Sequence, residues 1–137
     1  MKRIIPVLLI VVFMLAGCGK VAKENAAQAG QPVCTRITQE QAKEMMAKDD
    51  GHVVVDVRRQ DEYDSGHIPG AILIPNESIG TGALEALPDY DQIILIYCRS
   101  GNRSRQAAEK LAAMGYKNIF DFGGINTWTG EIVTEPK

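Results

Sequence analysis

The chain has 137 residues, with 15 Lys and Arg against 17 Asp and Glu for a formal charge of −2, and it is 45% hydrophobic and 23% charged. That length supports one compact domain rather than two, and the aliphatic content excludes intrinsic disorder. The near balance of charge excludes a general electrostatic nucleic-acid binder, and three cysteines do not make a disulfide framework.

The N-terminus reads Met1-Lys2-Arg3, then an apolar stretch from Ile4 to Ala16 interrupted only by Pro6. Such a stretch is short for a membrane-spanning helix, which needs about 20 residues, and suits the hydrophobic region of a secretory signal. The two basic residues hold the N-terminus on the cytoplasmic side. Leu15-Ala16-Gly17-Cys18 resembles the lipobox of bacterial lipoproteins, which implies that Cys18 is lipidated and becomes the mature N-terminus. The alternative is an uncleaved signal anchor with a chance Cys at its end. Processing removes residues 1–17 with Lys2 and Arg3, so 120 residues remain and the charge falls to −4. Two or more acyl chains make a stable attachment where one binds marginally. Residues 18–33 are small and polar and cannot offset their ordering entropy by burial, which predicts a lipidated flexible tether.

The globular part is expected from Cys34, to about Val133. Thr38-Gln39-Glu40-Gln41 has the spacing of a capping box and predicts a helix ending near Lys48. Val53–Val57 is β-branched without alternation, as in a strand buried on both faces. Asp61–Ser65 suits one or two helical turns, and Gly66-His67-Ile68-Pro69-Gly70 is a punctuated turn. Ala71–Ile74 predicts a short strand, and the segment around Ile79–Leu87 is weakly amphipathic. Gln92–Tyr97 is a strongly apolar strand ending at Cys98. A polar loop, Arg99 to Asn102, leads into a helix from about Ser104 to its stop at Gly115. Ile119–Phe122 is the last strand, closed by Gly123-Gly124. Doubly buried strands alternating with helices argue for a parallel sheet covered on both sides, an α/β fold. Ligands bind beyond the carboxyl ends of such strands, which is where Cys98 falls.

A thiol at a strand end, followed by a glycine-containing loop and the first turn of a helix, faces unpaired backbone N–H groups and the positive end of the helix dipole. In such places a Cys pKa falls from about 8.5 to between about 3.5 and 7.5. Arg99, Arg103 and Arg105 cluster nearby in sequence and offer fork-shaped donors to an anionic substrate. A lone Cys ending a core strand is ordinarily a small buried hydrophobe. Such a residue does not need three arginines, a glycine and an asparagine around it.

The stretches Asp56-Val57-Arg58, Glu62-Tyr63, Gly66-His67-Ile68-Pro69-Gly70-Ala71, Tyr97-Cys98-Arg99-Ser100-Gly101-Asn102-Arg103-Ser104, and Gly123-Gly124 followed by Trp128 together resemble the rhodanese-like sulfurtransferases. The resemblance covers nearly the whole globular part and implies one rhodanese-like domain over residues 34–137, with a five-stranded parallel sheet and helices on both faces. It implies Cys98 as the sulfur-accepting nucleophile. It also implies Arg99, Ser100, Gly101, Asn102, Arg103 and Ser104 as the substrate-binding loop, with Asp56 and Arg58 bracing the site through an ion pair or backbone hydrogen bonds. The Cys-x4-Arg spacing from Cys98 to Arg103 matches the six-residue rhodanese loop. Cysteine phosphatases use Cys-x5-Arg, which would need an arginine at Ser104. The loop also departs from the Cys-Gly-Ser-Gly-Val-Thr type associated with mercaptopyruvate, and its cationic character suits a small dianion such as thiosulfate.

The expected function is a membrane-tethered extracytoplasmic sulfurtransferase. Sulfane sulfur from thiosulfate or a persulfide donor passes through a Cys98 persulfide to an acceptor thiol or cyanide, with no metal or organic cofactor and no nucleic acid. The alternative is a noncatalytic module that carries sulfur or docks on a redox partner. A monomer is expected, lipid-anchored by Cys18 to a bacterial membrane, in the periplasm or at the cell surface. His67 is expected to hydrogen-bond within its turn, His52 to be an unpaired surface residue, and Trp128 to pack the C-terminal segment over the core. Cys34, placed before the first structural element, is either an incidental thiol or a partner for Cys98; no Cys-x-x-Cys motif surrounds it.

Overall fold

The computed structural model describes residues 33–134; the predicted signal peptide, lipidation site and nearly all of the tether lie outside them. The elements in chain order are β1 (Val33–Arg36), α1 (Gln39–Met46), β2 (Val53–Asp56), α2 (Gln60–Ser65), β3 (Ile72–Leu73), β4 (Ile93–Cys98), α3 (Asn102–Met114) and β5 (Asn118–Gly124), with short 3₁₀ turns at Asn76–Ser78 and Ile125–Thr127. The strands form one five-stranded sheet in the order β1-β5-β4-β2-β3, and every pair is parallel.

β4 occupies the centre because it is apolar on both faces: Ile94, Leu95, Ile96 and Tyr97 are fully buried. Its alternate residues point to opposite sides. Ile94, Ile96 and Cys98 pack with Ala107, Ala108 and Leu111 of α3, whereas Leu95 and Tyr97 pack with Ala42 of α1 and with Phe122. Helices therefore cover both faces, as the unalternating strands predict. α1 opens with the expected capping box: the Gln41 N–H donates to Thr38 Oγ1 at 3.1 Å and the Thr38 N–H to Gln41 Oε1 at 2.8 Å.

Several boundaries differ from the sequence reading. The tether was expected to reach residue 33, with Cys34 ahead of any element, yet Val33 opens β1 and Cys34 lies within it. β1 is an edge strand, paired only to β5, with Cys34 and Arg36 exposed, so it carries no apolar run to betray it. α1 ends at Met46 rather than near Lys48, and α3 starts at Asn102, two residues earlier than expected. The segment 79–87 forms no helix; Ile79 and Leu87 are buried, and the Tyr116 hydroxyl holds the Leu87 carbonyl at 2.7 Å. His52 is not unpaired: its Nδ1 lies 2.7 Å from Asp50 Oδ1, which lowers the Asp50 carboxyl pKa.

One irregularity shapes the site. The pairing of β4 with β5 slips between Ile96 and Tyr97, so that Tyr97 stands opposite Gly123 and Cys98 opposite Gly124. Glycine in a strand permits close backbone approach. Here it lets the loop after Cys98 settle against β5.

Candidate active site

Cys98 ends β4 on the face covered by α3, and only 1% of it is exposed. The chain turns sharply after it, with Gly101 at φ +98° as the N-cap of α3, a conformation that side chains other than glycine disfavour. The turn points the first amides of α3 at the sulfur. The Gly101 N–H donates to Cys98 Sγ at 3.0 Å. Burial alone pushes the thiol pKa up, but hydrogen bonds from the Ser104 amide and hydroxyl and from the Gly101 and Ser100 amides outweigh it, and the pKa is lowered. Such a site holds a thiolate in a cradle of dipoles.

Gly124 is what lets the loop lie there. A Cβ on it would sit 2.3 Å from the Arg99 carbonyl oxygen and 2.6 Å from Ser100 Cα, too close for any side chain. Two residues on, the Asn126 N–H donates to the same Arg99 carbonyl at 3.1 Å.

The three arginines of this stretch have different partners. Arg103 is gripped at both Nη atoms by Glu62 of α2, at 2.6 and 2.8 Å, and this pairing pulls the Glu62 pKa down to about 2. Arg105 points away and pairs with Glu109 on an exposed face of α3, at 3.2 Å. Arg99 is exposed and its side chain has no hydrogen-bond or ion-pair partner among the described residues. Asn102 is exposed, while Gly101 and Ser104 are buried. The loop's one uncommitted cation is thus Arg99.

Asp56 and Arg58 form a buried ion pair at 2.7 Å, 0% and 6% exposed at their side chains. The Arg58 N–H also donates to Asp56 Oδ1 at 2.9 Å, and Arg58 Nη2 donates to the Gly66 carbonyl at 2.7 Å. Both expected kinds of contact are present. They tie the end of β2 to the 66–70 turn, which Tyr97 Oη holds from the sheet by accepting the Ile68 N–H at 3.1 Å. His67 sits in that turn with Nδ1 3.0 Å from the Tyr63 carbonyl and its ring stacked 3.7 Å from that of Tyr63. Trp128 packs beside Phe122, with ring centroids 5.7 Å apart, and under the Lys43 ammonium.

Sequence reasoning missed two residues of the site. Glu62 entered only as part of a family stretch, though its carboxylate fixes Arg103. Arg36 escaped notice because β1 did. Its guanidinium lies against Gly101 and Gly123, within 3.2 and 2.8 Å of where their Cβ atoms would be, and pairs with buried Asp121 at 2.7 Å. Cys34 is set apart from Cys98. It is in register with Ile119 and through it with Ile94, so two strand spacings and four residues put the two cysteines about 16 Å apart. A disulfide needs Cα atoms within about 7 Å, so this fold does not pair them.

The Rhodanese-like domain family model matches residues 38–131. The chain belongs to the rhodanese-like family. Its relatives include the thiosulfate sulfurtransferase GlpE of Pseudomonas entomophila, 38% identical over 94 residues that cover 68% of this chain and 83% of that one. Another is the thiosulfate sulfurtransferase PspE of Escherichia coli, 37% identical over 71 residues, 52% of this chain and 68% of the relative. Among solved structures, a rhodanese with anions from E. coli superposes with a TM-score of 0.57 at 32% identity, covering 61% of this chain and 99% of that one. Family membership and the Cys98 cradle make this rhodanese-like protein an enzyme of the thiosulfate sulfurtransferase-like type.

Proposed function

We propose that this rhodanese-like protein transfers sulfane sulfur from thiosulfate or a persulfide donor to a thiophilic acceptor through a persulfide on Cys98, at an extracytoplasmic membrane surface to which Cys18 tethers it by lipid. The observation that carries the chemistry is the cradle of Gly101, Ser100 and Ser104 donors around Cys98 Sγ, which lowers the thiol pKa. The thiolate attacks the outer sulfur of thiosulfate, a new S–S bond forms, and the old one breaks to release sulfite. The same donors stabilise charge on the incoming sulfur. Cyanide or a thiolate then attacks the outer sulfur of the persulfide and Cys98 departs as the thiolate, the double displacement of covalent catalysis.

The guanidinium of Arg99, without a side-chain partner among the described residues, meets the anionic donor in this reading, whereas Arg103, expected to share that task, is matched by Glu62 and fixes the loop to α2. Among the described residues no helix is long and apolar enough to cross a membrane. The tether proposal therefore rests on the sequence of residues 1–18.

The test is intact mass of the reduced chain in mild detergent before and after thiosulfate, with Cys98→Ser in parallel and cyanide added last. A gain of one sulfur atom that requires Cys98 and is discharged by cyanide is the expected result. No gain with a free Cys98 thiol rejects thiosulfate as donor and favours the sulfur-carrying or docking module. Metabolic labelling with a fatty-acid analogue, lost in Cys18→Ser, tests the anchor, and protease accessibility in intact cells against lysed cells tests the location.

A further inference from the structure

Beside the catalytic loop lies a groove of about 240 Å³ lined by Arg58, Glu62, Ser65, Arg99, Ile125 and Asn126. One wall is α2, and the other is the turn that Asn126 fastens to the Arg99 carbonyl. Glu62 brings a negative charge to the groove, but Arg103 matches it at both oxygens. Two cations remain. Arg58 commits Nε to Asp56 and Nη2 to Asp56 and Gly66, while its Nη1 has no hydrogen-bond partner among the described residues, although the side chain is only 6% exposed. Arg99 has no side-chain partner among them either. The Nη1 edge is not sealed from solvent and Arg58 lines the groove, so the edge is open to a ligand there, and a carboxylate is the acceptor whose geometry a free guanidinium edge fits best. Ile125 adds an apolar surface, and Ser65 and Asn126 add polar ones. Thiosulfate and cyanide have neither a carbon stem nor a carboxylate to place there.

We propose that this groove is the subsite for the carboxylate of a small organic thiol that takes sulfur from Cys98, with Arg99 and the Nη1 edge of Arg58 as its donors. The proposal rests on the sulfurtransferase reading and names its acceptor class. The acceptor's thiolate attacks the outer sulfur of the Cys98 persulfide. A new S–S bond forms, the bond to Cys98 Sγ breaks, and its electron pair leaves with Cys98 as the thiolate. The persulfide proton passes to the product or to water, and no oxidant or reductant is consumed.

The test uses the full chain in mild detergent, loaded with thiosulfate, and compares discharge by N-acetylcysteine with discharge by its amide. Rates are expressed per thiolate, because thiol pKa values differ, and are normalised to discharge by cyanide in the same protein. The carboxylate thiol is expected to be favoured roughly five- to tenfold in the wild type. The preference should vanish in Arg99→Gln and invert in Arg99→Glu. A ratio of one in the wild type, or the same ratio in all three proteins, overturns the proposal. An independent readout needs no persulfide: N-acetylalanine, a carboxylate without a thiol, is titrated into reduced protein while the Ile125 methyl and Asn126 amide signals are followed by NMR. Saturable shifts that N-acetylalanine amide does not produce, and that Arg99→Gln abolishes, are expected; their absence overturns the subsite. Failure of thiosulfate loading with a positive titration would reject the donor and leave the subsite standing.

Discussion

Replacing Gly124 by Ala isolates the contact on which the catalytic loop rests. Gly124 has φ −128° and ψ 143°, ordinary extended backbone, so the substitution introduces no conformational penalty of its own. What it introduces is a methyl group 2.3 Å from the Arg99 oxygen, 2.7 Å from the Arg99 carbonyl carbon and 2.6 Å from Ser100 Cα. Carbon atoms rest at about 3.5–4.0 Å from their neighbours, so the loop must retreat by about 1 Å. All three clashing atoms are backbone, and no rotamer change relieves them. Overpacking that shifts backbone typically costs about 1–3 kcal/mol. In a domain of this size each kcal/mol lowers Tm by about 4–8 °C, which predicts a fall of roughly 5–20 °C in thermal denaturation followed by circular dichroism. The retreat also moves the Ser100 amide, one of the donors that lower the Cys98 pKa. The pH midpoint of Cys98 alkylation by iodoacetamide should therefore rise. A Gly124→Ala protein with wild-type Tm and an unchanged alkylation midpoint would refute the assigned role of this contact.

Ser104→Ala removes a hydroxyl that lowers the Cys98 pKa and also donates to the Gly123 carbonyl at 3.4 Å but keeps the amide, so the alkylation midpoint should move up; an unchanged pH profile would exclude the hydroxyl from thiolate stabilisation. Asp56→Asn leaves the buried Arg58 charge without its partner, and a loss of about 3–5 kcal/mol is expected in urea denaturation. Glu62 has a folded pKa of about 2 against an ordinary 4.5, so its ionised form stabilises the fold above about pH 4.5, and that contribution is lost as pH falls toward 2. Glu62→Gln should therefore be less stable than wild type at pH 7, with the gap narrowing at pH 3; an equal gap at both would deny the ion pair its role. Diamide oxidation followed by peptide mapping should yield no Cys34–Cys98 linkage within a molecule, and finding one would show that β1 detaches readily from β5.

What the sequence made legible follows from how local each signal is. β2 and β4 announce themselves because strands buried on both faces must be continuously apolar, and Val53–Val55 and Ile93–Ile96 are. The loop is legible because Cys98, Gly101 and the start of α3 are consecutive, so one short stretch contains both thiol and donors. β1 was not legible. An edge strand of four residues needs only half a buried face, and Val-Cys-Thr-Arg offers less than that. The pairing of Arg103 with Glu62 spans 41 residues, and that of Arg36 with Asp121 spans 85. Neither follows from spacing, because each depends on which loop the sheet order brings beside which strand end.

Those long-range pairs change what the loop's charge means. Three arginines within seven residues after Cys98 read as a strongly cationic cup that draws a dianion by charge alone. In the folded protein Glu62 answers Arg103 and Glu109 answers Arg105, and Arg36, which arrives from β1, is answered by Asp121. The attraction left over comes from Arg99 and from amide and hydroxyl dipoles aimed at Sγ. Dipoles fixed by a glycine turn act at hydrogen-bond range, whereas net charge acts over about a Debye length, near 8–10 Å at physiological salt. Such a cradle therefore stabilises a sulfur anion of either step, the thiolate or the persulfide, without holding the departing sulfite. Full charge from three arginines would bind sulfite as firmly as it binds thiosulfate and would slow the second displacement. Matching two of them with carboxylates leaves a loop suited to taking sulfur and to giving it up.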